Sequence, residues 1–367
     1  MAGNSEPVRF AIVGGGWRAE FYLRIAQALP ERFAVVGMVV RDAQAGERLE
    51  RQFGVSTHRT LDTLLAACRP SFVVTSVSWG ANPGLVRELA ERGLPVLSET
   101  PPAPDLPALR ALWEACQGAQ VQVAEQYLYQ PHHAARLALI ETGLLGTVSQ
   151  AQVSAAHGYH GVSLIRHYLG VGYERVRIRA RKVVAPLVDG PNRSGPPQEE
   201  RIKSSEQTIA WLDWGDRFGV FDFCGDQYFS WIRNERVLIR GERGEIINHE
   251  ARVLRRYDEP LSLTLRREEA GPNGNLEGYY LHGIMAGERW LYRNPVAPGR
   301  LADDEIAVAT ALQKMAEYVE GGDPPYPLAE ACQDHALSLL IAQAAESGQE
   351  VAGEDQPWSA EGAGGAA

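Results

Sequence analysis

The stretch Arg9-Phe-Ala-Ile-Val-Gly-Gly-Gly-Trp-Arg-Ala19 decides how the rest of the chain is read. An apolar strand runs straight into glycines and then into the apolar-periodic run Glu20 to Leu29, the strand–turn–helix context that a dinucleotide fingerprint requires. Gly14 permits the tight turn, Gly16 lets the backbone approach a pyrophosphate, and Ala19 takes the third small position, so the spacing is G-x-G-x-x-A. The helix start offers the N–H groups of Trp17 and Arg18 and a partial positive charge to an anion. A second strand, Ala34 to Val40, arrives at the spacing the motif needs.

Composition narrows the classes. With 367 residues and 45% hydrophobic content the chain can bury a large core, and the length favours two domains. A net charge of -10 argues against nucleic acid as a partner, since phosphate binding needs a basic face. Cys68, Cys116, Cys224 and Cys332 are far apart and form no C-x-x-C pair, which points to buried thiols and no metal site. The first eight residues lack an apolar signal region, and no run reaches the roughly 20 apolar residues of a membrane span. A cytoplasmic protein with no membrane partner is expected.

The first half alternates strands and helices. Gln44 to Phe53 predicts a helix stopped at Gly54, Leu61 to Ala67 one capped by Thr60, and Phe72 to Thr75 a buried strand. Ser76, Ser78 and Trp79 follow that strand and would line a cofactor cleft, because ligands bind at the carboxyl ends of parallel strands. Asn82-Pro83 predicts a helix start, with Asn82 as the cap, and Gly93 its end. Strands Val96 to Ser98 and Val121 to Ala124 flank a helix near Ala108 to Cys116. This order predicts an α/β fold, a Rossmann-type doubly wound parallel sheet over residues 1–125. At the end of the second strand Val40 stands where an acid would bind a ribose 2′-OH. Arg41 could instead pair with a 2′-phosphate, so NADP is favoured over NAD; the plainer reading leaves Arg41 in solvent and Asp42 as a helix cap.

Beyond Glu125 the pattern changes. Helices are predicted over Pro131 to Ile140 and Ser163 to Leu169. Alternating strands are predicted over Thr147 to Ala155, Arg175 to Val184, Gln207 to Trp214, Arg217 to Cys224, Trp231 to Arg240 and Arg252 to Tyr257. Residues 126–350 should therefore form an α+β domain with a large, mostly antiparallel open sheet. Arg177, Arg179 and Arg181 alternate as a solvated face, and Trp211, Trp214 and Trp231 are expected on strands as core or interface packing. Asp189 to Glu199, rich in Pro, Gly and Ser, is expected to be a surface loop or flexible flap. Leu301 to Glu320 and Leu328 to Ser347 are amphipathic helices, and residues 351–367 are expected to be a frayed tail.

Taken together, the fingerprint, Glu99-Thr-Pro101, Val123-Ala-Glu-Gln-Tyr-Leu-Tyr-Gln-Pro131, Ile239-Arg-Gly-Glu-Arg-Gly-Glu245 and Gly322-Asp-Pro-Pro-Tyr326 resemble the glucose-fructose oxidoreductase, inositol dehydrogenase and MocA (Gfo/Idh/MocA) family. The resemblance implies a Rossmann domain and an α/β domain whose open sheet makes subunit contacts, hence a homo-oligomer, dimer or tetramer. It also implies NAD(P)-dependent oxidation or reduction of a sugar, polyol or related carbonyl compound. Two family signatures are absent. The lysine of Glu-Lys-Pro is Thr100 here, and the acid of Asp-x-x-x-His is Ala156, while His160 keeps the histidine place. The family carboxylate that fixes the nicotinamide end matches Glu99.

Oxidising an alcohol needs a group to take the hydroxyl proton, best with a pKa near the working pH. Thr100 cannot do that, though its hydroxyl could bind a ribose or a substrate oxygen. Histidine can, so His160 is the expected acid/base, with Tyr159 or His157 as helper. Gln126, at the next strand end, joins the cleft with Tyr127. An alternative is a cofactor-binding sensor without turnover. Another is a lyase or hydrolase that holds its cofactor tightly.

Overall fold

The protein is described by a computed structural model over residues 6–271, 273–274, 276 and 278–359. Two compact units result. One comprises Met1–Pro131, Glu268–Gly283 and Arg293–Cys332, the other His132–Arg267, Ile284–Tyr292 and Gln333–Ala367.

The first unit is built on β1 (Val8–Val13), α1 (Trp17–Ala28), β2 (Phe33–Val39), α2 (Ala43–Phe53), β3 (Thr57–His58), α3 (Leu61–Ala67), β4 (Phe72–Thr75), α4 (Asn82–Glu91), β5 (Val96–Ser98), α5 (Leu106–Ala115) and β6 (Val121–Val123). The sheet order is β3-β2-β1-β4-β5-β6, with parallel neighbours throughout. Strands buried on both faces explain the continuous apolar runs: Phe10, Ala11 and Ile12 of β1 and Phe72, Val73 and Val74 of β4 are fully buried, and the Phe10 and Phe72 rings stack 5.6 Å apart. The chain order reverses between β1 and β4, and that switch point is where such sheets open a ligand crevice.

Helix ends follow their expected signals at Thr60, whose Oγ1 accepts from Thr63 N, and at Gly54, in the left-handed region at φ 68°. Asn82 departs from expectation. Helix α4 begins on it with Ala81 as the cap, and the Asn82 side chain turns inward. It accepts from Thr75 Oγ1 at 2.6 Å and donates to Ser98 Oγ at 2.8 Å and Pro102 O at 3.0 Å. A buried amide is stable only with its hydrogen bonds made, and these tie the ends of β4 and β5 to the Pro101-Pro102 exit.

The second sheet gathers β7 (Val148–Ser154), β8 (Arg177–Val188), β9 (Ile202–Asp213), β10 (Phe218–Cys224), β11 (Arg236–Gly241), β12 (Gly244–Ile247), β13 (Glu250–Arg256), β14 (Glu259–Ala270), β15 (Tyr280–Ala286), β16 (Arg289–Arg293) and β17 (Val351–Ala352). Its order is β16-β15-β14-β13-β12-β11-β7-β10-β9-β8-β17. The β7–β10 pair is parallel, and the pairs β10–β9, β9–β8, β8–β17, β7–β11, β11–β12, β12–β13 and β13–β14 are antiparallel. Strands β3, β12, β14, β15, β16 and β17 are additional to those the sequence predicts.

Helix α6 (Pro131–Glu141) precedes β7, and α7 (Gly158–Leu169) packs on β7 and β10. The approach is close enough that a Cβ on Gly161 would stand 2.7 Å from the Phe221 ring, so glycine is needed there. Helices α8 (Asp303–Val319) and α9 (Leu328–Ser347) complete the chain, and α8 packs on α1, β1 and β4.

Three further expectations are corrected. Helix α7 starts at Gly158, five residues before Ser163, so Tyr159 and His160 lie in its first turn. Trp214 and Trp231 lie off the strands, with Trp231 73% exposed, whereas Trp211 is on β9 as expected and is 46% exposed. The expected tail is not frayed where it is described: β17 pairs with β8, and Trp358 is fully buried with its Nε1 donating to Gln333 Oε1 at 2.8 Å. Residues 360–367 of that tail lie outside the described residues. Arg177 and Arg179 form the solvated face as expected, paired with Asp213 and Glu350. Among the described residues no helix is long and apolar enough to cross a membrane.

Candidate functional site

In the first unit the turn after β1 forms a cradle. Gly14 has φ +125°, and a Cβ there would fall 1.9 Å from Ser76 O, so only glycine lets β1 close against the end of β4. Gly16 takes the cap position of α1 in extended conformation with no side-chain cap. A Cβ on it would meet nothing within 4 Å, which leaves open space beside the first-turn N–H groups of Trp17 and Arg18. A helix start with no side-chain cap, open space beside Gly16 and the helix dipole fit a pyrophosphate.

The Arg18 side chain turns toward the carboxyl ends of the later strands. Its Nε donates to Glu99 Oε1 at 2.8 Å and its Nη1 lies 3.4 Å from Asp304 Oδ2 in the first turn of α8. Glu99, just after β5, also accepts from the Tyr22 hydroxyl and, at 3.3 Å, from Thr100 N. Burial would lower the Arg18 pKa, but Glu99, Tyr22 and Asp304 raise it beyond its ordinary value. Burial and the Glu99 charge push the Tyr22 hydroxyl well up, so it stays protonated.

Glu125 follows β6 and is 2% exposed, its Oε1 accepting from Tyr127 N at 3.0 Å. Burial lifts its pKa to about 8, opposed by the Tyr127 N–H and Arg18 and aided by Glu99 and Asp304. Beside it Gln126, 6% exposed, reaches Asp304 Oδ1 at 3.5 Å, and its buried Oε1 has no hydrogen-bond partner among the described residues. An orphaned buried acceptor at a strand end fits a ligand that donates.

At the end of β2 no carboxylate faces the crevice. Val40 is buried, Arg41 is exposed, and Asp42 is occupied in capping α2 through Ala45 N at 2.7 Å. Arg59 arrives from the end of β3, with Nη1 on Val40 O at 3.0 Å and Thr57 Oγ1 at 3.1 Å. Its guanidinium lies over Gly46, where a Cβ would come within 2.7 Å of Nη1.

In the second unit the first turn of α7 collects imidazoles and phenols. The His160 ring, buried, lies 4.4 Å from Tyr159 and 4.9 Å from His157, and Tyr159 lies 5.4 Å from His335. The His157 backbone N–H donates to the Tyr228 hydroxyl at 3.1 Å, and that hydroxyl lies 2.6 Å from His157 Nδ1. With the Tyr228 hydroxyl donating to Nδ1, neutral His157 presents Nε2–H to Tyr159 Oη at 3.3 Å. Burial, then His160, lowers the His157 pKa to about 3, which keeps this imidazole neutral.

Residues 8–127 match the family model described as oxidoreductase family, NAD-binding Rossmann fold. That match identifies residues 8–127 as an NAD-binding domain of the Gfo/Idh/MocA type. No curated protein matches the chain in sequence. The fold is similar to an oxidoreductase from Agrobacterium radiobacter solved with NAD+, L-tartaric acid and magnesium, at 16% identity, TM-score 0.65, covering 94% of this chain and 98% of that one. It is also similar to the WlbA dehydrogenase from Bordetella pertussis solved with NADH and UDP-GlcNAcA, at 16% identity, TM-score 0.62, covering 94% and 98%. A levoglucosan dehydrogenase in complex with NADH and levoglucosan gives 16% identity, TM-score 0.68, covering 96% and 100%.

Within this Gfo/Idh/MocA-type domain, Gly14, Gly16, Trp17, Arg18, Glu99, Thr100 and Gln126 gather at the carboxyl ends of the first sheet. Ser76 sits against Gly14, whereas Ser78 and Trp79 lie exposed farther along the loop, where Ser78 O accepts from Ala81 N and Asn82 N. His157, Tyr159 and His160 do come together. Sequence reasoning missed Tyr22, Arg59, Glu125, Tyr228 and Asp304, whose partners are set by tertiary contacts.

Proposed function

We propose that the protein is an NADP(H)-preferring dehydrogenase of a sugar, polyol or related carbonyl compound. The observation that carries this reading is the uncapped, open start of α1 over Gly16 in a domain of an NAD-binding oxidoreductase family. The dehydrogenase neighbours, solved with NADH and with levoglucosan or UDP-GlcNAcA, support a sugar-like substrate. Preference for the 2′-phosphate is supported by Arg41 and Arg59 at the end of β2 and by the absence of an acid at Val40.

A bound nicotinamide supplies the hydride chemistry. Gly14 to Arg18 would hold its pyrophosphate, Glu99 and Gln126 would hold its nicotinamide end, and a ring nitrogen of His160 would take the substrate's hydroxyl proton. Tyr159 and neutral His157 hold that imidazole in place. The protein is further read as a cytoplasmic homo-oligomer, dimer or tetramer, its exposed Trp211 on β9 suiting a subunit contact.

Titrating NADPH and NADH against the purified protein tests the cofactor, and a panel of sugars and polyols followed by nicotinamide absorbance tests turnover. Failure of both cofactors to bind overturns the reading. Binding without turnover would favour the sensor, for which the loss of the family lysine at Thr100 and aspartate at Ala156 speaks. Substrate cleavage without net change in cofactor would favour the lyase or hydrolase.

A further inference from the structure

The carboxyl ends of β5 and β6 hold more acid than base. Glu99 follows β5, Glu125 follows β6 and Asp304 comes from the first turn of α8, while the guanidinium of Arg18 bonds to Glu99 and Asp304. Thr100 stands where a lysine would have added a second positive charge. Gln126 Oε1 adds an acceptor dipole without a partner among the described residues. In a dinucleotide-binding sheet the second half, β4 to β6, holds the nicotinamide nucleotide. The oxidised ring carries a positive charge and the reduced ring none; the remainder of the cofactor is identical in both. An excess of negative charge at this end therefore distinguishes the two forms electrostatically.

We propose that this acid-rich end selects the oxidised nicotinamide cofactor over the reduced one, and that Glu125 gives up its proton when the oxidised form binds. The inference rests on the nicotinamide-binding reading above and adds to it a direction, charging of the protein with oxidised cofactor for substrate oxidation. Besides burial and the Tyr127 N–H, Arg18 from α1, Glu99 after β5 and Asp304 from α8 act on Glu125, which in turn acts on Tyr129, whose hydroxyl donates to Pro325 O at 2.6 Å. Tyr129 is held protonated by its burial and by Glu125, so it adds no charge. A protonated Glu125 leaves Glu99 and Asp304 against Arg18. An arriving cation lowers the pKa of a neighbouring carboxyl, and by linkage a rising pH must tighten the binding of that cation.

Calorimetric titration of NADP+ and NADPH at about pH 6 and about pH 9, in buffers of different ionisation enthalpy, tests the idea. The affinity ratio should move on the order of ten-fold toward the oxidised form as pH rises, with proton release for NADP+ only. Glu125→Gln should abolish the proton release and the pH dependence. Asp304→Asn should weaken the preference at both pH values yet keep the release, and it serves should the first variant not fold. Equal affinity and equal pH dependence for both forms overturns the inference while leaving nicotinamide binding intact. Proton release that persists in Glu125→Gln overturns the role of Glu125. Binding of neither form overturns the functional reading itself.

Discussion

Arg18 and Glu99, 81 residues apart in sequence, meet with Nε 2.8 Å from Oε1, and both side chains are largely shielded from solvent. The same guanidinium reaches Asp304, so one side chain of the glycine-rich helix start ties α1 to β5 and α8. Glu99→Gln keeps an acceptor but removes the charge that Arg18 and the Tyr22 hydroxyl meet. The expected loss is about 1–3 kcal/mol of unfolding free energy, read from the denaturant midpoint. An unchanged midpoint would show that the pair adds nothing to folding.

Glu125 makes stability depend on pH. Its carboxyl is raised from 4.5 to about 8 by burial, so between those values the folded state keeps a proton that the unfolded chain has released. The stability tied to that proton is complete below the unfolded pKa and is lost as pH rises through the folded one. Compared with Glu125→Gln, the unaltered protein should lose up to about 1.4 kcal/mol per pH unit across this window. Denaturant titrations of both proteins at roughly pH 5.5 and roughly pH 7.5 give the difference; parallel behaviour of the two would refute the buried acid.

Much of the first sheet is legible in the sequence because its signals are local. The Gly14 to Ala19 spacing, Thr60 before an apolar run and Gly54 after one each settle their own element. Asn82 misleads for the opposite reason. Asn-Pro reads as a cap, but Thr75 and Ser98 capture the amide in three dimensions. The start of α7 is hidden because Gly158, at φ +42°, reads as loop. Leu261, Leu263 and Leu265 alternate and could have revealed β14, but the charged run after them obscures it. Glu125 and Asp304 gain their meaning only by sharing Arg18. No sequence window contains that fact.

At the end of β2, Arg41→Asp and Arg59→Ala should each weaken NADPH at least ten-fold while leaving NADH within about two-fold, the scale of one charge-assisted hydrogen bond. Arg59 is seated by Val40 O, Thr57 Oγ1 and the bare backbone of Gly46, so its loss should not disturb α2. Fluorescence titration of both cofactors measures this. Equal losses for NADPH and NADH would remove the phosphate role.

His160→Ala should lower turnover by about 10²- to 10⁴-fold with cofactor affinity retained, as removal of a general acid/base does. His157→Ala should cost less, because its imidazole, depressed to about 3 by burial and His160, is neutral and acts by holding Tyr159. Steady-state kinetics with a substrate found in the sugar panel, beside a thermal melt of each variant, separates chemistry from folding. Full activity in His160→Ala would rule out the assignment.

Trp358 tests whether the end of the chain belongs to the fold. Its ring is fully buried and its Nε1 donates to Gln333 Oε1, while β17 just before it extends the sheet at β8. Trp358→Ala should therefore cost about 3–5 kcal/mol, the usual range for emptying a buried aromatic site. Trp358→Phe should cost less, since it gives up the hydrogen bond and part of the volume but leaves a ring in the cavity. Chemical denaturation ranks the three proteins. A frayed segment would tolerate both substitutions equally, so the graded loss separates a packed terminus from a loose one.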